Sequence, residues 1–228
     1  MATIFFALEI ISVLVPFLFQ SAGRIPVKGK HLDELSTLDK TFIWTNKSVT
    51  AIFVYHLLVV LAECKTVKWR TDELTVANSL GSLVCFYVFY DFFYTLFHKA
   101  LHIRALYPWI HKHHHRQKAP SRGNLDAINV HPFEFSVGEY LHLLTIYVIP
   151  CHFVAVAIFI IAGGILASLN HTRYDIIVPY GFYSVRVHDV HHRLPESNYG
   201  QYIMLWDHIL GSYRPYESKK ARDADGKE

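Results

Sequence analysis

Two five-residue stretches, HKHHH at 111–115 and HDVHH at 188–192, repeat one spacing, HxxHH, so that His111, His114 and His115 match His188, His191 and His192. A third stretch, HKALH, sets His98 and His102 four residues apart, which on a helix stacks two imidazoles on one face about one turn apart. Imidazole is neutral near pH 7, coordinates through either ring nitrogen and suits iron, zinc or copper. A dense all-nitrogen set is therefore a metal site that needs no carboxylate ligand. The three clusters supply eight candidate ligands, more than one tetrahedral zinc (four) or one octahedral ion (six) accepts, so the count implies two metals.

Two more histidines fall between the clusters: His131 in NVHPFEF and His171 in LNHTRYD. His171 directly follows an apolar segment and precedes His188 by 17 residues, which makes it a further candidate ligand; His131, beside Pro132, is either a ligand or a loop residue that caps and orients. His113 breaks the HxxHH spacing and reads as a bystander. His31, His56, His142, His152 and His208 stand alone, and His56 and His142 lie within apolar runs where ionisable groups are costly. Carboxylates stand near the clusters at Asp91, Glu134, Asp175 and Asp189, and the economical role for them is to accept the second N–H of a metal-bound imidazole.

The elements that must position these residues are mostly apolar. Of 228 residues 52% are hydrophobic, and they gather in long runs instead of amphipathic stripes, which marks lipid as part of the solvent. The expected fold class is all-α, an integral membrane helical bundle with a histidine-rich metal-binding cap. Residues 1–73 hold N-terminal membrane helices and their connections, 74–216 the catalytic domain, and 217–228 a charged tail read as disordered. Ile4 to Phe19 reads as a first membrane helix, and Arg24, Lys28 and Lys30 after it favour the cytosolic side for the following segment, with Lys65, Lys68 and Arg70 competing for that side. Val49 to Ala62 is short for a crossing and reads as tilted or interfacial. Leu74 to Phe97 is long enough to cross and ends at His98.

Ser136 to Leu169 is 34 residues, about 51 Å as one helix at 1.5 Å per residue against a hydrocarbon core of about 30 Å. Pro150 inside the run and the Gly163–Gly164 pair predict a hairpin of two short passes. A hairpin returns the chain to the side it left, and the histidines before and after it can share a site only on that condition.

A net charge of +3 without a basic stripe argues against a nucleic-acid partner. Cys64, Cys85 and Cys151 have no CxxC spacing and read as free thiols. Taken in order, HKALH, HKHHH, NVHPFEF, NHTRYD, HDVHH and NYGQYIMLWDHILGSY resemble the fatty acid hydroxylase and sterol desaturase superfamily of integral membrane di-iron oxygenases, over roughly residues 91–216. That resemblance implies two iron ions held by His98, His102, His111, His114, His115, His171, His188, His191 and His192, with His131 as a tenth ligand. It further implies O2 as co-substrate, a lipid substrate (sterol, fatty acyl or sphingoid) that is hydroxylated, oxidised or desaturated, and an endoplasmic reticulum membrane with the histidine site facing the cytosol. The chain carries no fused cytochrome b5 motif, so NAD(P)H-derived electrons would arrive through a separate donor, cytochrome b5 or a reductase. The competing readings are a membrane metal-binding protein or metal transporter, a haem electron carrier and a catalytically inactive scaffold. A transporter would draw histidines from helix middles, whereas here they sit at predicted helix ends.

Overall fold

The structure, a computed structural model, describes residues 2–178 and 182–216, and for residues 2–8 and 11 the backbone only. The expected disordered tail, 217–228, lies outside the described residues. Helices dominate, with four two-residue strands among the described residues. In chain order the helices are α1 (Ala2–Leu18), α2 (Thr37–Glu63), α3 (Ser82–Leu101), α4 (Asn124–Ala127), α5 (Pro132–Val148), α6 (Phe153–Asn170), α7 (Val185–Arg193) and α8 (Leu205–Ile209).

Among the described residues three spans are long and apolar enough to cross a membrane: Thr37–Glu63, Ala77–Leu101 and Phe153–Asn170. The short reading of the second apolar run is therefore corrected. Its helix begins twelve residues earlier than Val49, because Ser36 and Asp39 form a reciprocal capping box that starts α2 in polar sequence. Lys47 inside α2 pairs with Glu9 of α1, so two charges that apolar surroundings would penalise satisfy each other. The third run also shifts: α3 is preceded by a wide turn over Ala77–Gly81, and it continues past Phe97 to Leu101.

The 34-residue run is broken as its proline predicts. α5 ends at Val148, Ile149 and Pro150 form the bend, and α6 starts at Phe153 with the His152 side chain accepting the Val154 N–H. At the bend Cys151 and His152 pair in parallel with Val67 and Lys68, and Ser82 donates to the Pro150 carbonyl, which closes one end of the bundle. The apolar core fills that end: Leu57 and Leu61 of α2, Phe86 of α3, Ile146 of α5, and Val156 and Phe159 of α6 are all buried together. Beneath α1 a smaller cluster of Val15, Ile25, Leu169, Tyr174, Tyr183 and Val185 holds that helix to the end of α6.

The opposite end carries the histidines, at the C-termini of α3 and α6 and on α7. This is the shared side that the hairpin requires. Outward-facing Tyr55, Leu58, Val84 and Ile161 are exposed along the bundle, as helices in lipid expect.

Candidate metal centre

Nine of the ten histidines singled out in the sequence converge into two groups. His98, His102, His111, His115 and His191 form one, and His114, His171, His188 and His192 the other; within each group one nitrogen per residue lies within 4.8 Å of all the rest. Every member except His102 is buried. The elements supply them as follows. His98 is in the last turn of α3 and His102 is its C-cap; His171 is the C-cap of α6; His188, His191 and His192 lie on α7. His111 to His115 sit in a succession of turns that closes in a short 3-10 turn at His114–Arg116, so the two HxxHH boxes share a spacing but not a secondary structure.

One rule relates sequence to site. Each i,i+4 pair (His98 and His102, His111 and His115, His188 and His192) falls in a single group, and each i+3 histidine (His114, His191) crosses to the other group. On α7, at about 100° of rotation per residue, i+4 returns near the direction of i while i+3 stops about 60° short, which is enough to face a different neighbour; the turns at His111–His115 produce the same division without a regular α-helix. Both boxes thereby serve both groups and tie them together.

The nitrogen geometry is that of coordination. Nε2 of His98 lies 3.0 Å and Nε2 of His115 2.9 Å from Nε2 of His111. In the second group, Nε2 of His171 is 3.1 Å from that of His114 and 3.2 Å from that of His188, which is 3.2 Å from that of His192. Metal–nitrogen bonds of about 2.0–2.1 Å at angles between 90° and 109° separate ligand atoms by about 2.9–3.4 Å.

The other ring nitrogens fix the tautomers. Nδ1 of His98 donates to the Tyr199 carbonyl (2.8 Å), that of His171 to Ala167 (2.9 Å), that of His191 to Ser197 (2.7 Å) and that of His192 to Gln117 (2.9 Å). Nδ1 of His111 donates to Glu134 Oε1 at 2.8 Å. A carbonyl only accepts, so each Nδ1 holds the proton and each Nε2 presents a bare lone pair. Lone pairs of His98 and His111 3.0 Å apart repel unless a cation lies between them. Nε2 of His102 and of His191, also buried, has no partner in the protein, an orphan that a metal would satisfy.

Burial foremost, and then repulsion by neighbouring imidazoles, pushes His114, His115, His188, His191 and His192 well below the usual histidine range and His102 down to about 3. These rings are neutral near pH 7, the state that coordinates.

His131 is placed elsewhere. It is the N-cap of α5, its Nδ1 accepts the Phe133 N–H, and its ring packs edge-on against Phe42. Of the four carboxylates, Glu134 alone meets a histidine. Asp91 instead accepts the backbone N–H groups of Gln201, Tyr202 and Ile203. Asp189 joins Arg173 and Arg193, and Asp175 holds Arg186; both orient α7 through arginines. Asp207, which the sequence offered only as part of NYG…WD, accepts from the N–H groups of Tyr199 and Gly200 at 2.8 Å each. Asp91 and Asp207 thus clamp residues 199–203, and Tyr199 of that loop orients His98. His113 turns away to Asp39 and Asn129, and the three cysteines are free.

A cavity of about 450 Å³ opens onto both groups, within the size range of small-molecule pockets. It runs between α2, α3, α5 and α6. His98, His111, His114, His171 and His188 form one end, and Phe53, Tyr90, Tyr94, Ile160 and Gly163 line its walls.

The sequence profile of the fatty acid hydroxylase family matches residues 83–212. Among curated relatives, a cholesterol 25-hydroxylase-like protein 1, member 2, of Danio rerio is 24% identical over 82% of this chain and 72% of its own length. The lathosterol oxidase of Homo sapiens is 30% identical over 58% of this chain and 45% of its own length. The very-long-chain aldehyde decarbonylase CER1 of Arabidopsis thaliana is 24% identical over 85% of this chain, which spans 32% of that relative. No solved structure matches the chain significantly.

Proposed function

The chain belongs to the fatty acid hydroxylase family, an oxygen-dependent lipid oxidoreductase by that membership, and we propose that its two histidine groups hold two iron ions beside a lipid-binding cavity. His98, His102, His111, His115 and His191 would hold one ion and His114, His171, His188 and His192 the other. The observation that carries the reading is that both groups line one end of a single apolar cavity within the helical bundle. The five nitrogens of the first group exceed the four that a structural zinc takes, which favours iron there, while the four of the second suit either metal.

Bound iron would supply, from O2 and electrons, the oxidant that an aliphatic C–H bond requires and that no side chain provides. The protein's own contribution is position and dryness. Carbonyls of Tyr199, Ala167, Ser197 and Gln117 hold four imidazoles in their coordinating tautomer. Glu134 accepts the Nδ1 proton of His111 and orients its ring, and the core around Phe86 and Phe159 packs the far end. Among known relatives both cholesterol 25-hydroxylase-like proteins and lathosterol oxidase act on sterols by name, which supports a sterol or similarly long apolar substrate. Electrons come from a separate donor, cytochrome b5 or a reductase. The protein resides in the endoplasmic reticulum membrane with the histidine end toward the cytosol.

The test is lipid profiling of membranes with and without the protein under oxygen, with metal analysis of the purified chain. His191→Ala and His114→Ala should each lower metal content and abolish the oxygen-dependent product while the protein still inserts in membranes. Product formation by both variants would overturn the assignment.

A further inference from the structure

Deep in the cavity, away from the histidine groups, lies a cluster of polar groups that metal binding does not use. Nε2 of His142 is 3.0 Å from the Tyr202 hydroxyl, and its Nδ1 donates to the Gly138 carbonyl at 3.0 Å. The Tyr90 ring lies 4.2 Å from the His142 ring and 5.1 Å from the Tyr202 ring. Glu139, three residues before His142 on the same helix, faces the same cavity, and Thr50 of α2 hydrogen-bonds to it.

Three helices place this cluster at one depth. Tyr90 precedes His98 by eight residues on α3, His142 follows Glu134 by eight on α5, and Gly163 precedes His171 by eight on α6. Eight residues of helix rise about 12 Å. Gly163 leaves the room the cluster needs: a Cβ there would lie 2.8 Å from the Tyr202 hydroxyl and 3.5 Å from His142 Nε2. Ionisable groups at this depth in a membrane protein are costly, and such groups mark sites that bind.

The chemistry of the cluster is selective. Of the described residues that line the cavity none is lysine or arginine, and Glu139 is an acid, so a carboxylate or phosphate end is not accommodated inside. A hydroxyl is: its O–H donates to the Glu139 carboxyl group or to the oxygen of Tyr202, whose own proton is donated to Nε2 of His142.

We propose that Glu139, His142 and Tyr202 form a hydroxyl-recognition site, and that the substrate is an uncharged lipid whose hydroxyl sits there while its hydrocarbon extends to the histidine groups. The inference rests on the lipid-oxygenase reading and names its substrate class: a sterol or a long-chain alcohol, not a free fatty acid. The carbon attacked lies about 12 Å from the hydroxyl, the helical rise between the two levels.

Equilibrium binding to the purified full-length protein in detergent micelles tests this with two matched pairs, cholesterol against cholest-5-ene and 1-hexadecanol against hexadecane, with hexadecanoate as the anionic arm. The alcohol of at least one pair should bind about tenfold tighter than its deoxy partner, equal to about 1.4 kcal/mol, and the pair that does so identifies sterol or alkanol. Hexadecanoate should bind no better than hexadecane. Glu139→Gln and Tyr202→Phe, at unchanged metal content and gel-filtration profile, should each cut the preference to under threefold. Equal binding within both pairs, tightest binding of hexadecanoate, or an intact preference in both variants would overturn the inference. The wild-type pairs decide it even where a variant misfolds. Loss of lipid oxidation in His191→Ala without any hydroxyl preference would sink this inference alone and leave the oxygenase reading standing.

Discussion

Removing the charge of Glu134 isolates the support of one metal group from its ligands. The Glu134 side chain is 7% exposed and that of His111 1%, with 2.8 Å between Oε1 and Nδ1, and the second carboxylate oxygen has no partner in the protein. A hydrogen bond to a charged group contributes about 1.5–3 kcal/mol and a neutral one about 0.5–1.5. Glu134→Gln keeps the shape and an acceptor oxygen, so it should cost about 1–1.5 kcal/mol, near tenfold in affinity. Glu134→Ala leaves the Nδ1 proton of His111 buried without an acceptor and should cost about a hundredfold, the upper end for groups that orient a metal ligand. Because the hydrogen bond of Glu134 goes to His111 of the first group, chelator competition followed by elemental analysis should show one of two metals released early and the other held more nearly as in the wild type. Two metals retained with wild-type resistance to chelator in Glu134→Ala would refute both the ligand assignment and the orienting role.

Protonation should dismantle the centre from below neutrality. His102 and its five strongly depressed neighbours are neutral in the fold and ionise in the unfolded chain near 6.5, so the unfolded state binds more protons as pH falls below that value. Stability and metal content should hold above about pH 6.5 and fall together from there toward about pH 3. A melting temperature that rises on acidification through this window would contradict the assignment. Asp207→Ala should strip the acceptors from two buried backbone N–H groups, loosen residues 199–203, cost about 2–4 kcal/mol in thermal or denaturant unfolding, and lower occupancy of the five-histidine group through His98. Gly163→Ala should push Tyr202 away from His142, with overpacking of about 1–3 kcal/mol partly offset by about 1 kcal/mol of gained helix propensity. Its clearest readout is reduced binding of hydroxyl-bearing lipid.

Much of this was legible in the residues. Histidine density at apolar-run ends points to clustered ring nitrogens able to hold metal, and the structure gathers them into two groups; Pro150 favours the hairpin because a residue without an N–H and with fixed φ removes a helix hydrogen bond and kinks or breaks the helix. Local chemistry of that kind needs no partner. The start of α2 was obscured because its first turns are polar and a hydropathy run hides them, although SxxD was visible as a capping box.

What the chain order alone did not settle is which atoms meet. His131, open in the sequence between a ligand and a capping loop residue, caps α5, and Asp175 and Asp189, close to histidines in sequence, are taken by arginines. The carboxylate that does orient a ligand, Glu134, and the two that clamp the 199–203 loop, Asp91 and Asp207, act across separations of 23, 110 and 8 residues. The division of the HxxHH boxes between two groups, and the polar cluster of Glu139, His142 and Tyr202 from α5 and a distant loop, exist only once α3, α5 and α6 are packed side by side. Residue type and spacing set which chemistry was possible, because they act within a turn of helix; tertiary packing decided partners, because hydrogen bonds and coordination demand contact at about 3 Å that no sequence interval specifies.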